Sequence, residues 1–285
     1  MLIIKTAKNY IEVLKPRVSI LITFIGICAA IIAGDGHISL ELLLIAVTIL
    51  LASAGANGLT NYIDRDVDAR MQRTKNRVLP SKRIYPPEKV LPLATGLVII
   101  GLALAWYLHP FCFLADLVGT VAAIVRRKRA TCVFPQGTIA SWAPVLMGWF
   151  AIKPIPSWEI LLICLLIGFW LPLHIWSVMI ANREDYLSAG QSYFPMNREA
   201  KEAVKVLLVF CLMLCSASIG LYFIGGFGWL YLIVAILLGT MMVYASSRLV
   251  MSSASKDAWR LYKLSAFPYL GLIFLTMCLD IWLLR

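Results

Sequence analysis

Asn61–Pro80 (NYIDRDVDARMQRTKNRVLP) sets the carboxylates of Asp64, Asp66 and Asp68 beside Arg65, Arg70, Arg73, Lys75 and Arg77, at the end of a long apolar run. Ionisable groups at a membrane edge cost free energy, so such a cluster marks a functional site by default. At about 100° per helical residue, Asn61, Asp64 and Asp68 fall within roughly 60° of one another, and Asp66 points elsewhere. Two carboxylates a turn apart, with an amide oxygen, form a hard-oxygen set suited to Mg2+. That ion is usually held by one or two carboxylates plus substrate phosphate. Arg70, Arg73, Lys75 and Arg77 carry the charge to hold phosphate oxygens. A basic loop is more often a solvated connection between membrane helices. Here the acids sit at helical spacing ahead of the main run of bases, which favours metal plus diphosphate.

A second cluster lies in Leu171–Pro195 (LPLHIWSVMIANREDYLSAGQSYFP). If a helix continues through it, His174, Ala181 and Asp185 share a face, with Glu184 about 80–100° away. Two facing acidic sites could hold two Mg2+ ions and clamp a diphosphate between them. An intramembrane histidine on its own is more often packing than a ligand, and the register of His174 with Asp185 brings the two readings level. Trp142, Trp149, Trp170 and Trp176 suit either an apolar cavity or an aromatic belt.

The elements that must position these groups are membrane helices. Hydrophobic residues make up 61% of 285 positions, and the mean hydropathy is +0.83. Such values exclude an ordinary soluble domain. Apolar runs of spanning length fall near 17–34, 39–60, 90–108, 110–125, 134–152, 158–181, 203–224, 227–247 and 264–284. The fold class expected is all-α: a polytopic protein of nine transmembrane helices forming one domain over residues 1–285. Met1–Lys15 reads as a short interfacial helix feeding the first span. The net charge is +11, and all but Lys153 and Arg285 of the 26 Lys and Arg fall in alternate connections. Positive-inside bias then puts the N-terminus and the long connections in the cytoplasm and the C-terminus outside. That distribution belongs to topology and anionic ligands and argues against nucleic acid. The Arg126–Arg129 cluster and Lys15-Pro16-Arg17 read as topology anchors at least as readily as phosphate contacts. The seven cysteines form no metal-spaced cluster and read as packing residues. No cleavable leader is recognisable, and a prokaryotic cell membrane is the simplest address.

With these motifs in place, the chain resembles the UbiA superfamily of intramembrane prenyltransferases, and within it the heme-farnesylating branch. The stretches that carry the resemblance are Leu14-Lys15-Pro16-Arg17, NYIDRDVDARMQRTKNRVLPSKRI from Asn61 to Ile84, Pro144–Trp149, and the segment from His174 to Gly190 with DYLSAG. The histidine with DYLSAG points to heme; the quinone branch has a second motif richer in aspartate. Two stretches depart from the pattern. Thr60 stands where the superfamily commonly has Asn, and RKRATCVFPQG keeps the usual basic-Thr-Asn pattern poorly.

The resemblance implies a helix bundle around a central cavity, capped by cytoplasmic loops. It implies farnesyl transfer from farnesyl diphosphate to the 2-vinyl group of heme b with addition of water, giving heme O and diphosphate. The product connects the protein to heme A synthase and terminal oxidases as partners. On this reading Asn61, Asp64 and Asp68 hold one Mg2+, and Asp185 with Glu184 the other. Arg73, Lys75 and Arg77 hold the diphosphate, and His174 sits near heme as ligand or proton acceptor. Prenylation of a quinone precursor or lipid is the first alternative. A transporter is the second, and it would need charges along a path reaching both faces.

Overall fold

The structure, a computed structural model, describes residues 2–125 and 132–284, with side chains from Thr6 onward. Arg126–Arg129 and Arg285 lie outside the described residues. Every regular element among the described residues is helical: α1 (Leu2–Val13), α2 (Pro16–Ala33), α3 (Glu41–Arg70), α4 (Leu91–Leu108), α5 (Pro110–Ile124), α6 (Gln136–Ile152), α7 (Trp158–Ala181), α8 (Arg183–Ser188), α9 (Ala200–Ile224), α10 (Trp229–Ser252), α11 (Ser255–Leu264) and α12 (Leu272–Leu284). A π-helical turn, Ser265–Gly271, joins α11 to α12. Local chemistry sets several starts. Pro16 and Pro110 open α2 and α5, where a missing N–H costs nothing. The His109 Nδ1 accepts the Phe111 N–H at 3.1 Å.

Seven helices among the described residues are long and apolar enough to cross a membrane. Expected spans four and five correspond to α5 and α6, which at 15 and 17 residues are shorter. With no hydrophobic drive between helices inside lipid, small residues let backbones approach. Gly26 of α2 and Gly148 of α6 meet so closely that a Cβ on Gly148 would run into the Gly26 carbonyl oxygen. Gly55 and Gly58 of α3 rest on α4 at Ala94 and Val98, and Gly101 of α4 rests on Ala52. The largest core joins α2, α6, α7, α9, α10 and α12, while Leu43, Ile100, Leu212 and Ile233 face outward, as lipid contact requires.

One buried charge is structural. Asp280 in α12 accepts the N–H groups of Gly228 and of Tyr231, the latter at 3.0 Å, and so caps the start of α10. A carboxylate there satisfies orphan donors and complements the helix dipole.

Two arrangements matter for the site. Helix α3 runs unbroken through 30 residues, about 45 Å at 1.5 Å per residue. It therefore outruns a ~30 Å hydrocarbon core and carries Asn61, Asp64 and Asp68 out as a helical face, as their spacing implies. Helix α7, by contrast, stops at Ala181. Asn182 leaves helical geometry (φ −123°, ψ 36°) and its side-chain amide turns back to the Val178 carbonyl at 2.7 Å. The continuous face expected for His174 and Asp185 is thus broken, because α8 sets off afresh from Asn182.

Candidate active site

The connection after α3 is the centre of the site. It folds back over the end of that helix, and Val78, Leu79 and Ile84 form a small core with Val13 of α1 and Val90 and Ala94 beyond. Helix α1 forms where a short helix was expected, and its Val13 docks on this loop. Beside that core lies a cavity of about 240 Å3, lined by Glu12, Lys15, Asn61 and Arg77 with apolar neighbours such as Val13 and Leu79.

Asn61 and Arg77 were expected here; Glu12 and Lys15 were not. Lys15 sits at the α1–α2 junction in the left-handed region (φ 50°), a conformation that a lysine adopts only when its surroundings demand it. Its Nζ reaches the Thr60 hydroxyl at 3.4 Å. The signal in the sequence was the lysine directly before a helix-opening proline, which places an ammonium at the mouth of the first span. The Thr60 hydroxyl also donates to the Asn57 carbonyl at 3.0 Å.

Asp68 is almost wholly buried (1% exposed) and paired with Arg77 at 2.7 Å, while the Thr74 hydroxyl donates to the Asp68 carbonyl at 3.0 Å. The ion pair pins the loop to α3. Asp64 is half-buried one turn away. The Asn61 Nδ2 donates to the Val13 carbonyl at 2.5 Å, leaving its Oδ1 as the acceptor side of the amide.

The second acidic segment closes on the first. Asp185 accepts the backbone N–H of Gln72 at 2.6 Å and of Arg73 at 3.1 Å, and the Arg73 guanidinium donates to the Tyr186 hydroxyl at 3.1 Å. The two acidic segments therefore share one rim. Glu184, expected as a metal ligand beside Asp185, is exposed. Lys75, expected on the diphosphate, bonds the Gln72 side chain at 2.5 Å.

His174 belongs to a different group. Its ring stacks between Trp170 and Tyr262, with centroids 4.8 and 4.5 Å away. Its Nδ1 lies 2.8 Å from the Ser265 hydroxyl, which itself donates to the Tyr262 carbonyl at 2.9 Å. Ser265 has one hydrogen and spends it on Tyr262, so the histidine Nδ1 carries the proton and donates. Nε2 is left as the lone-pair nitrogen, an assignment made from the network. The π turn makes this possible, since the Ser265 carbonyl also accepts the Trp170 Nε1–H at 2.5 Å. Trp149, Trp170 and Trp176 are buried, so they belong to the interior; Trp106, Trp158, Trp229 and Trp282 are exposed.

The donor set fits Mg2+. It offers oxygen only, from Asn61, Asp64, Asp68 and Asp185. Among the described residues no three His, Cys, Asp or Glu side chains gather into a cage. Hard oxygen donors of this kind are the ones Mg2+ takes, with water and substrate phosphate for the rest of its shell.

The protein-family model described as the UbiA prenyltransferase family matches residues 19–271. The protoheme IX farnesyltransferase of Desulforudis audaxviator is 34% identical over 98% of this chain and 90% of its own length. That of Gloeobacter violaceus is 32% identical over 95% of this chain and 91% of its own. Among solved structures, digeranylgeranylglyceryl phosphate synthase matches with a TM-score of 0.79 at 18% identity, covering 96% of this chain and 98% of that one. A UbiA homolog from Archaeoglobus fulgidus bound to GPP and Mg2+ matches with a TM-score of 0.65 at 14% identity, covering 96% of this chain and 100% of that one. These two share the fold of this all-helical, multi-pass membrane protein. By the extent of the family match and by identity along nearly its whole length, the chain belongs to the UbiA prenyltransferase family.

Proposed function

We propose that this prenyltransferase moves a farnesyl group from farnesyl diphosphate to the 2-vinyl group of heme b, with addition of water, to give heme O and diphosphate. The observation that carries this reading is the full-length likeness to relatives named protoheme IX farnesyltransferase, at 34% and 32% identity. The site supports it. Lys15 and Arg77 line the cavity and bind the diphosphate oxygens, joined by Arg73 from the rim. Asn61, Asp64 and Asp68 hold Mg2+, and Asp185 supplies a further oxygen from the opposite side of the rim. Glu184 is left out of this set because it faces solvent. Bound Mg2+ supplies positive charge against the diphosphate as it leaves.

The farnesyl C1–O bond breaks, a C–C bond forms to the terminal vinyl carbon, and water adds its oxygen to the neighbouring carbon and loses a proton. The cationic side chains stabilise the leaving group where its charge grows, which is commonly the largest contribution to such catalysis. Apolar helix faces keep water from the allylic carbon until the vinyl group attacks. His174, with Nδ1 committed to Ser265, presents Nε2 to the heme as iron ligand or to the water as proton acceptor. We read α5 and α6 as the fourth and fifth of nine spans, with the site on the cytoplasmic side of the cell membrane and the C-terminus outside. Heme A synthase and terminal oxidases are the proposed users of the product.

Membranes carrying the chain, given farnesyl diphosphate, Mg2+ and either heme b or an aromatic acid, test this by product mass. Heme O is expected from heme b. A prenylated aromatic acid without heme O would overturn the heme reading while leaving the family intact.

A further inference from the structure

We propose that Arg83 is a positioning residue for the metal–diphosphate end of the site, acting through helix α1 and the Asn61 amide. The inference rests on the metal–diphosphate reading above. A guanidinium carries five N–H groups in a rigid fork, and at Arg83 each has an acceptor. Nε donates to the Ser81 hydroxyl at 3.2 Å. Nη1 donates to the Asn9 side-chain oxygen at 3.3 Å and to Glu12 at 2.8 Å. Nη2 donates to the other Glu12 oxygen at 2.6 Å and to the Asn76 carbonyl at 3.1 Å. The Asn9 amide returns a bond to the Arg83 carbonyl at 3.5 Å.

Arg83 and Glu12 are 35% and 44% exposed, so as a surface ion pair alone they contribute little to stability. What the five bonds do is geometric. Two partners lie on α1 and two on the loop that carries Arg77, so the guanidinium sets the helix against the loop. The last residue of that helix is Val13, whose carbonyl takes the Asn61 Nδ2–H. Glu12, Val13, Asn61 and Arg77 all line the same cavity. Displacing α1 removes the acceptor that holds the Asn61 amide in one orientation, and the amide oxygen loses its aim. Partners that orient a metal ligand commonly matter about 10–100-fold in metal affinity.

The test uses the full chain in detergent, with Mn2+ plus inorganic diphosphate as probe and free Mn2+ read by electron paramagnetic resonance. Asn61→Ala and Arg83→Gln are each expected to weaken binding about tenfold, and the double variant no further than either. Arg83→Lys is expected not to rescue, because an ammonium cannot form the fork. In turnover, the KM for farnesyl diphosphate rises and that for heme does not. Should Arg83→Gln fail to fold, Glu12→Gln removes the charged acceptor of the fork and is expected to move the same constants in the same direction. Wild-type binding in both Arg83→Gln and Glu12→Gln, or additive losses in the double variant, would overturn the role of Arg83. Undiminished binding in Asn61→Ala would instead overturn the metal reading, and this inference with it.

Discussion

Asp185 is the joint between the two acidic segments, and its replacement reports on the rim before any substrate is added. Its carboxylate accepts two backbone N–H groups, from Gln72 at 2.6 Å and from Arg73 at 3.1 Å. Hydrogen bonds to a charged acceptor contribute about 1.5–3 kcal/mol each. Gln72 and Arg73 are exposed, so water substitutes in part, and the lower end applies. The two together come to about 3 kcal/mol in Asp185→Ala. Asp185→Asn keeps one acceptor oxygen and turns an NH2 toward the other donor, for a loss of about 1.5 kcal/mol. At about 1.4 kcal/mol per decade, opening of the loop becomes about tenfold more frequent in the Asn variant and about a hundredfold in the Ala variant. Hydrogen exchange by mass spectrometry over 71–83, in metal-free detergent solution, reads this directly. Glu184→Gln, one residue away and exposed, is the control and should exchange as wild type. If Asp185→Ala leaves exchange over 71–83 unchanged without metal, Asp185 does not anchor the loop and the shared rim is refuted.

Arg77→Ala should destabilise the protein by about 3 kcal/mol, because it takes the ion-pair partner at 2.7 Å from the buried Asp68 carboxylate. Asp68→Ala should cost less, since Arg77 is 39% exposed and can hydrate; thermal unfolding in detergent ranks the two. Gly148→Ala forces α2 from α6 at the Gly26 carbonyl and should cost about 1–3 kcal/mol or more, read as a lowered Tm with the site residues intact. The Arg83 fork holds the Glu12 carboxyl below its ordinary value of 4.5, chiefly by hydrogen bonding. The folded state has the lower pKa, so this contribution is complete above that value and fades as pH falls through the depressed one. Exchange of α1 amides should therefore be flat above about pH 5 and rise in acid, and Glu12→Gln should remove the step.

Much of this was legible in the chain. The spans are local, since a run of apolar residues is a membrane helix whatever surrounds it, and the helices fall where the runs do. The Asn61, Asp64, Asp68 face was legible for the same reason, because α3 continues to Arg70 and 3.6-residue periodicity needs no tertiary information. The face drawn through His174 and Asp185 failed where periodicity stops, at Asn182. Its side chain competes for the Val178 carbonyl, a choice open to any Asn near a helix end.

Tertiary structure decided what spacing cannot reach. Lys15 read as an interface anchor and proves to be a cavity wall, because that wall is assembled from the α1–α2 junction, α3 and the loop after it. Asp185 meets the Gln72 and Arg73 amides across 112 and 113 residues, a contact made only once α7 and α8 are packed. Arg77 read as a phosphate ligand, and the structure shows it as a counter-ion of the buried Asp68. The histidine tautomer is set by Ser265, 91 residues away in a π turn. Composition and periodicity act over one or two helical turns and so determine which residues are membrane helix and which share a face. Which carboxylate meets which amide depends on loop closure and helix crossing, and those are properties of the whole bundle.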